Sequence, residues 1–326
     1  MATAPVLVLI DHTDDGAVRP AVRELLALAA RFGSVHGVWV DPVAPGADAL
    51  AELGAHGASQ VHVVAPNGEH HLTPVVAEAI AVVVGSVAPR AVLLTNSFEH
   101  KEVAGVLGVR TGAGVVVDAA GLEDSDGTFV ATKSVFAATW TTRCAIRTPL
   151  AVVAVKPNAA EVVATGQGPA SVEVHAVDAE AATAAARGVE LVERTERAPS
   201  GRPDLSSAQV VVVGGRGTDG DFGPVADLAD VLGGAVGATR VATDEGWIDH
   251  EAQIGQTGVT VSPRLYIGAG VSGAVHHRGG MQSAGTIIAV NNDPEAPIFE
   301  IADLGIVGDL RTVLPAATQE LRRLLG

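Results

Sequence analysis

Short, almost uninterrupted apolar runs recur along the chain and are separated by segments with helical periodicity. Residues 6–10, 35–40 and 91–95 are such runs in the first half of the sequence. Residues 21–32 have apolar side chains at helical spacing and are closed by Gly33. Strands that are apolar throughout are typical of a parallel sheet covered by helices on both faces. The first half therefore predicts a doubly wound α/β domain.

The alternation of strands and helices continues through the rest of the chain. Further strands predicted in the first half are residues 60–65, 114–118 and 150–155, and further helices are 72–87 and 100–107. The second half predicts strands at 209–213, 264–267 and 285–290, a short apolar run at 298–301, and helices at 222–232, 273–281 and 310–325. The predicted fold class is α/β, with two doubly wound, Rossmann-like parallel-sheet domains.

A change in composition separates the two halves. An alanine- and charge-rich stretch at residues 177–207 contains the segment 193–203, which has Arg, Glu, Pro and Ser but few side chains to bury. A chain of 326 residues also exceeds the usual size of one domain. We therefore predict an N-terminal α/β domain at 1–192, a linker at 193–207 and a C-terminal nucleotide-binding domain at 208–326.

The charge and cysteine content exclude several classes of protein. The formal net charge is −16 and the chain has three lysines, so nucleic acid is not an expected partner. The single cysteine, Cys144, excludes an internal disulfide and a cysteine-based metal cluster. No apolar run approaches the roughly 20 residues that cross a bilayer, and no signal-peptide pattern precedes the first strand. We expect a cytoplasmic protein without membrane insertion.

A glycine-rich turn in the second half carries the clearest chemical signal. Gly268, Gly270 and Gly273 have the spacing G-x-G-x-x-G, directly after an apolar strand and before a predicted helix. Free backbone N–H groups in such a turn suit a pyrophosphate. Asn291 follows the next strand about 20 residues later, where a ribose contact is expected in a dinucleotide fold. The motif also occurs as a plain tight connection, and it does not distinguish NAD from FAD.

A second glycine-rich turn and several polar residues accompany the first turn. Arg216 lies among glycines after the strand 209–213, where its planar guanidinium would suit phosphate oxygens, although a solvated arginine is the alternative. His276 and His277 have no metal-ligand partners at the usual spacing, and no metal site is predicted. No arrangement of nucleophile and base stands out. The pattern indicates ligand binding without catalytic groups.

Several ordered sequence blocks in the second half resemble those of electron transfer flavoprotein α subunits. These blocks are GGRG at 214–217, VGATR at 236–240, GQTG at 255–258, the run from 264 to 315 with NDPEAPIF at 292–299, and ADLGIVGDL at 302–310. Their order over about 110 residues makes the resemblance specific. The N-terminal half matches the family less clearly, and no functional residue is assigned there.

The resemblance implies FAD as the cofactor and a set of residues that bind it. Arg216 would lie at the pyrophosphate, Arg240 against the isoalloxazine ring, and Thr257 would offer its hydroxyl to N5. His277 would lie near the pyrimidine carbonyl, so Arg240, Thr257 and His277 would tune the redox properties of the flavin. The implied cofactor-binding residues are Arg216, Thr239, Arg240, Ile254, Gly255, Gln256, Thr257, Ser272, Gly273, Ala274, Val275, His276, His277, Asn291, Asp309 and Leu310.

Two positions depart from the pattern that the family often shows. Thr239 stands where many members have Ser and keeps a hydroxyl group. His276 stands where the family often has Gln, so hydrogen bonding near the flavin ring is expected to differ.

The resemblance also implies a function and partners. The chain would pair with an electron transfer flavoprotein β subunit and carry single electrons from dehydrogenases, typically acyl-CoA dehydrogenases, to a quinone oxidoreductase. It would be an electron carrier and not an enzyme. Two alternatives remain: an NAD-dependent dehydrogenase that uses the GAGVSG turn at 268–273, and a binding relative that has lost its cofactor.

Overall fold

A computed structural model of the chain describes residues 4–66, 71–136, 139–162, 164, 168–175, 184, 188–193 and 201–325. Its contacts divide the chain into two compact units. One comprises Met1–Lys133 with Thr142–Glu196, and the other comprises Ser134–Thr141 with Arg197–Gly326. The linker at 193–207 stays a prediction, because residues 194–200 lie outside the described residues.

The first unit is built on a nine-stranded sheet with the strand order β7-β6-β5-β8-β4-β1-β2-β3-β9. The strands are β1 (Val6–Leu9), β2 (Val35–Val40), β3 (Ala58–Val64), β4 (Ala91–Thr95), β5 (Gly114–Ser125), β6 (Thr128–Val135), β7 (Trp140–Ala145), β8 (Ala151–Val155) and β9 (Ser171–His175). The helices are α1 (Pro20–Ala30), α2 (Ala47–Ala55), α3 (Thr73–Val87) and α4 (Phe98–Thr111). The predicted α/β fold class is confirmed.

The first sheet is mixed, which corrects the prediction of a wholly parallel sheet. Strand β5 does not end at residue 118 but continues to Ser125, where it turns and pairs antiparallel with β6. Asp126 and Gly127, the two residues of this turn, have φ angles of 52° and 87°. Two central residues with positive φ form the turn that suits the twist of a β-hairpin. The Asp-Gly pair at 126–127 is the local sequence signal of this hairpin.

Both faces of the first sheet are covered, because its central strands are apolar on both sides. Val6 and Val8 of β1 point into one core with Val22 of α1. Leu7 points to the other face and into a second core with Ile80 of α3. Successive side chains of a strand face opposite sides of the sheet, so an all-apolar strand requires helices on both.

The second unit contains a five-stranded sheet with the order β11-β10-β12-β13-β14, and all of its pairs are parallel. Its strands are β10 (Val210–Gly214), β11 (Ala235–Ala238), β12 (Leu265–Ala269), β13 (Thr286–Asn291) and β14 (Leu304–Val307). Its helices are α5 (Gly223–Val231), α6 (Arg240–Asp244), α7 (Val275–Met281) and α8 (Leu310–Leu325). The strand that follows β10 in sequence, β11, lies on one side of β10, and the next strand, β12, lies on its other side. Open α/β sheets bind ligands at the carboxyl ends of strands beside such a switch point.

Sequence patterns did not predict β11, β14 or α6. These elements have four, four and five residues, too few to show a clear periodicity. Helix α7 begins at Val275 and not at the predicted Gly273. Gly273 and Ala274 therefore lie in the loop before the helix.

The two longest helices among the described residues differ in character. Helix α3 has 15 residues and is mostly apolar, whereas α8 has 16 residues and carries Arg322 and Arg323 in its last turn. Among the residues that the structure describes, no helix has both the length and the apolar character to cross a membrane.

The buried centre of β4 gives a test of the first core. Leu93 is 0% exposed and packs in the core below α1, so we expect Leu93→Ala to lower the free energy of unfolding by about 2–5 kcal/mol. Val109→Ala on α4 is the control, because Val109 is 90% exposed and its truncation should change stability by less than about 0.5 kcal/mol. Urea unfolding measures both variants, and equal effects would contradict the assigned packing.

Candidate functional site

Two glycine-rich loops meet backbone to backbone at the switch point of the second sheet. Gly215 follows β10 and donates its N–H to the Ala269 carbonyl at 3.0 Å, and Gly217 donates to the Gly270 carbonyl at 3.1 Å. A Cβ on Gly215 would clash with the Gly270 carbonyl oxygen, and a Cβ on Gly270 would lie 2.7 Å from Cα of Gly217. Only glycine allows this approach, so the two loops form one surface at the edge of the sheet.

The loop from Ser272 to His276 presents a row of backbone donors. Within the described part of the chain, the N–H groups of these five consecutive residues have no hydrogen-bond partner. The loop is fixed from behind, because Ile298 donates its N–H to the Ser272 carbonyl at 3.0 Å and packs against Gly273. The side chains of Ser272, Ala274 and Val275 are exposed. Such a fixed row of free donors is suited to phosphate oxygens.

Arg216 is exposed beside this row, in a short 3-10 helix that ends at Thr218. The Thr218 hydroxyl is buried and donates to the Gly215 carbonyl at 2.9 Å. Asp219 forms an ion pair of 3.0 Å with Arg311 at the start of α8. The turn is thus held from two sides while the Arg216 side chain remains directed to solvent.

Three of the predicted cofactor-binding residues support the loops. Asn291 is buried, donates its side-chain N–H to the Val271 carbonyl at 2.9 Å, and accepts the N–H of Asp293. Asp309 caps α8 by accepting the N–H of Arg311 at 2.9 Å. Leu310 is buried near Gly270, since a Cβ on that glycine would lie 2.9 Å from its side chain. The structure therefore gives Asn291 and Asp309 roles in fixing the backbone.

A chain of side-chain hydrogen bonds orients the Thr257 hydroxyl. Thr243 donates to the side-chain oxygen of Gln253 at 2.9 Å, and the Gln253 amide donates to the Thr257 oxygen at 3.0 Å. Gln253 and Thr243 are buried, whereas Thr257 is exposed. Because its oxygen already accepts one bond, the Thr257 hydroxyl keeps its proton for an outside acceptor.

The segment with Thr257 is tied to the start of α7. Gln256 donates its backbone N–H to the His276 carbonyl at 3.0 Å, and its side-chain oxygen lies 3.0 Å from His276 Nδ1. Gly255 packs closely here as well, because a Cβ on Gly280 would lie 2.5 Å from its Cα. His276, which the sequence marks as a departure from the family, therefore bonds to Gln256 at the surface.

His277 is buried and fixes the same segment from inside. Its Nδ1 lies 3.0 Å from the Ile254 carbonyl, which can only accept, so Nδ1 carries the proton. Its Nε2 then accepts from the Tyr266 hydroxyl at 2.7 Å. Burial lowers the pKa of His277 to about 4, against a weaker raising effect of the Ile254 hydrogen bond. The ring is neutral near pH 7, and both of its nitrogens have partners inside the protein.

Thr239 and Arg240 follow β11 at the same edge of the sheet. Thr239 donates its backbone N–H to the Gly214 carbonyl at 3.0 Å, which joins it to the end of β10. The Arg240 side chain is 69% exposed and lies 3.1 Å from Asp244 one turn later on α6. An exposed ion pair of this kind is weak, so the guanidinium is free to turn towards a ligand.

All sixteen predicted binding residues lie in the second unit, at or behind the carboxyl edge of its sheet. Sequence reasoning missed Gln253 and Tyr266, which orient Thr257 and His277. Tyr266 is the chain's single tyrosine and lies in an apolar strand, where a buried hydroxyl needs a partner. That need was the available signal. Nothing local to Gln253 indicated its role.

Comparison with known proteins assigns the chain to a family. Residues 204–282 match the family described as electron transfer flavoprotein FAD-binding domain, and residues 6–182 match the electron transfer flavoprotein domain. The chain belongs to the electron transfer flavoprotein α-subunit family. The resemblance seen in the sequence blocks is thereby confirmed, and family membership extends to the N-terminal half, where the sequence motifs were least clear.

Several relatives of this family match the chain over nearly its whole length. Electron transfer flavoprotein subunit alpha of Mycobacterium leprae is 40% identical over 99% of this chain and 100% of its own length. The subunit of the same name from Syntrophomonas wolfei is 36% identical, over 95% and 96% respectively. The mitochondrial α subunit of Dictyostelium discoideum is 50% identical over 133 residues.

The contact between the two glycine loops can be tested by adding one methyl group. Gly215→Ala places a Cβ against the Gly270 carbonyl, and the backbone atoms there cannot move aside as a side chain could. We expect the free energy of unfolding to fall by about 1–3 kcal/mol. Gly85→Ala in α3 is the control, because its Cβ meets no atom within 4 Å and should stabilise the helix by about 0.5–1 kcal/mol. Thermal unfolding that shifts upward for both variants would contradict the close loop contact.

The buried His277 predicts a pH dependence of stability. The unfolded chain protonates this ring near the ordinary pKa of 6.5, but the folded chain only near about 4. Its contribution is therefore present above about pH 6.5 and is lost as pH falls towards 4, by about 3 kcal/mol in all. His277→Gln should reduce the pH dependence of urea unfolding between about pH 7 and about pH 5. His276→Gln, the exposed neighbour, should keep the slope of the original chain; equal slopes for both variants would refute the assignment.

Proposed function

We propose that this chain is the FAD-binding subunit of a heterodimeric electron carrier. The observation that carries the proposal is the junction of two glycine loops beside five free backbone N–H groups, in a region that matches an FAD-binding domain. A dinucleotide needs both a close approach to backbone donors and a separate surface for its ring system. The second unit supplies both along one edge of its sheet.

The phosphate end of the cofactor would lie on the loop from Ser272 to His276. Its free N–H groups donate to phosphate oxygens without any side-chain rearrangement, and the exposed Arg216 adds a charged donor fork from the facing loop. The adenosine side would lie towards Asn291, Asp309 and Leu310, whose described contacts hold the backbone in place.

The ring end would lie over the segment from Ile254 to Thr257. Bound FAD supplies reversible electron transfer at its isoalloxazine ring. Thr257 would donate a hydrogen bond to a ring nitrogen, since its oxygen already accepts one from Gln253. Arg240 would bring a positive charge to the ring and favour added negative charge there. His277 acts as a positioning residue, through its hydrogen bond to the Ile254 carbonyl.

The site favours a carrier over a substrate-converting enzyme. His277 is neutral and hydrogen-bonded at both ring nitrogens, and Gln253 is bonded to Thr243 and Thr257. These groups are placed to hold a cofactor and to set its charge environment, rather than to transfer protons to a substrate. Electrons would arrive from acyl-CoA or related dehydrogenases and leave to a quinone oxidoreductase, with a β subunit as the structural partner and the cytoplasm as the location.

The cofactor can be identified in the complex with the β subunit. Co-expression of both chains should give a yellow complex with one FAD per heterodimer, released on denaturation and identified by chromatography. A dissociable nicotinamide instead of FAD would indicate the dehydrogenase alternative. A colourless complex that FAD does not stabilise would indicate a relative without cofactor.

The charge of Arg240 predicts a shift in flavin potential. We expect Arg240→Ala to lower the reduction potential by about 60 mV, equivalent to a tenfold change in a one-electron equilibrium, because a positive charge beside the reduced ring is lost. Arg323→Ala is the matched control, since Arg323 is also exposed and paired with a nearby carboxylate, Glu320, but lies near the end of α8. Potentiometric titration of the FAD-loaded complex measures both. An unchanged potential in Arg240→Ala would remove this residue from the ring environment.

A further inference from the structure

Three histidines form a row across neighbouring strands of the first unit, remote in sequence from the flavin motifs. His36 on β2, His62 on β3 and His175 on β9 lie side by side. His36 Nδ1 is 3.0 Å from His62 Nε2, and His62 Nδ1 is 2.8 Å from His175 Nε2. Glu173, two residues before His175 on the same strand, pairs directly with His62 in the sheet register. The side-chain alternation of strands brings these groups to one face.

We propose that His62, His175 and Glu173 form a binding site for a first-row transition-metal dication such as Zn²⁺. One ligand atom from each of the three residues lies within 4.8 Å of the other two. The carboxylate oxygens of Glu173 lie 3.5 Å from His62 Nδ1 and 3.9 Å from His175 Nε2. Ligands at about 2.0–2.1 Å from a tetrahedral zinc ion are about 3.3 Å apart, which falls within the range of these separations.

The ligand types select the class of ion. Two imidazoles and one carboxylate suit Zn²⁺, Co²⁺, Ni²⁺ or Cu²⁺, whereas Mg²⁺ and Ca²⁺ prefer oxygen ligands. A neutral imidazole has the free lone pair that a metal ion requires. The site would keep one coordination position for water, as three-ligand zinc sites do.

Two further side chains orient the ligands. His36 contacts Nε2 of His62, so this nitrogen carries the proton when Nδ1 binds the metal. Gln60 donates its amide N–H to Glu173 at 2.6 Å and holds the carboxylate in place. Outer-shell partners of this kind normally accompany metal ligands. With His62 protonated on Nε2, the proton shared with His62 Nδ1 belongs to His175 Nε2. It moves to His175 Nδ1 when Nε2 binds the metal, so the ring stays neutral.

The entry path is the edge of the sheet. His62 is 1% exposed, but Glu173 has 51% of its side chain exposed on the edge strand β9. An ion can therefore reach the carboxylate first and then the two imidazoles. This site lies within the first unit, so it does not depend on the proposed flavin function of the second.

Zinc titration of the full-length, untagged chain tests the site. After treatment with a chelator and dialysis, calorimetric titration with ZnCl₂ should show one saturable site, and Zn²⁺ should raise the melting temperature. His175→Gln should abolish saturable binding, and Glu173→Gln should weaken it by at least about tenfold. His36→Gln should weaken it by about 10–100-fold, as expected for an outer-shell residue.

The control and the contradicting results are clear. His250→Gln removes an exposed histidine flanked by Asp249 and Glu251, and it should leave zinc affinity unchanged. Absence of saturable binding, or equal affinity in the original chain and in Glu173→Gln, would leave only a row of hydrogen-bonded histidines and overturn the proposal. Should His175→Gln fail to fold by circular dichroism, Glu173→Gln decides the question, because its half-exposed side chain can be exchanged without disturbing the core.

Discussion

The contact between the turns at Gly215 and Gly270 sets the geometry on which the candidate flavin site depends. Two backbone hydrogen bonds and the absence of any Cβ bring the ends of β10 and β12 together at the switch point. Asn291 and Leu310 then pack on the second loop from the neighbouring β13 and from α8. A close-packed backbone contact of this kind cannot relax around an added atom, so the free N–H groups beyond it are held in fixed directions.

The ring side of the site is organised from behind by residues that do not reach its surface. Gln253 sets the Thr257 hydroxyl as a donor, and Tyr266 with His277 fixes the Ile254 carbonyl. Buried polar groups must be satisfied, and here Gln253 is bonded to Thr243 and Thr257, while His277 is bonded to Tyr266 and to the Ile254 carbonyl. The surface residues at the ring end are therefore preorganised before any cofactor is bound.

In the first unit, strand pairing at both edges of the sheet adds features to a helix-covered centre. Its central strands are apolar on both faces and are covered by helices, but the Asp126–Gly127 turn adds an antiparallel arm to the sheet. At the other side, β9 brings Glu173 and His175 beside His62, although these residues are far apart in the chain. Sheet pairing is what creates this cluster, because no short sequence pattern joins the three strands.

The sequence by itself determined the α/β class, the central apolar strands such as β4, and the family motifs around Arg216 and Thr257, since apolar runs, helical periodicity and ordered blocks are local properties of the chain. It missed β11, because four residues carry no clear period, and it missed the antiparallel β5–β6 hairpin, whose pairing is visible only in the sheet. Only the tertiary structure decided that Gln253 orients Thr257 and that His62 and His175 meet. The physical reason is that strand order, register and burial determine which side chains meet across a sheet or between loops. These three properties depend on contacts between residues that are distant in sequence.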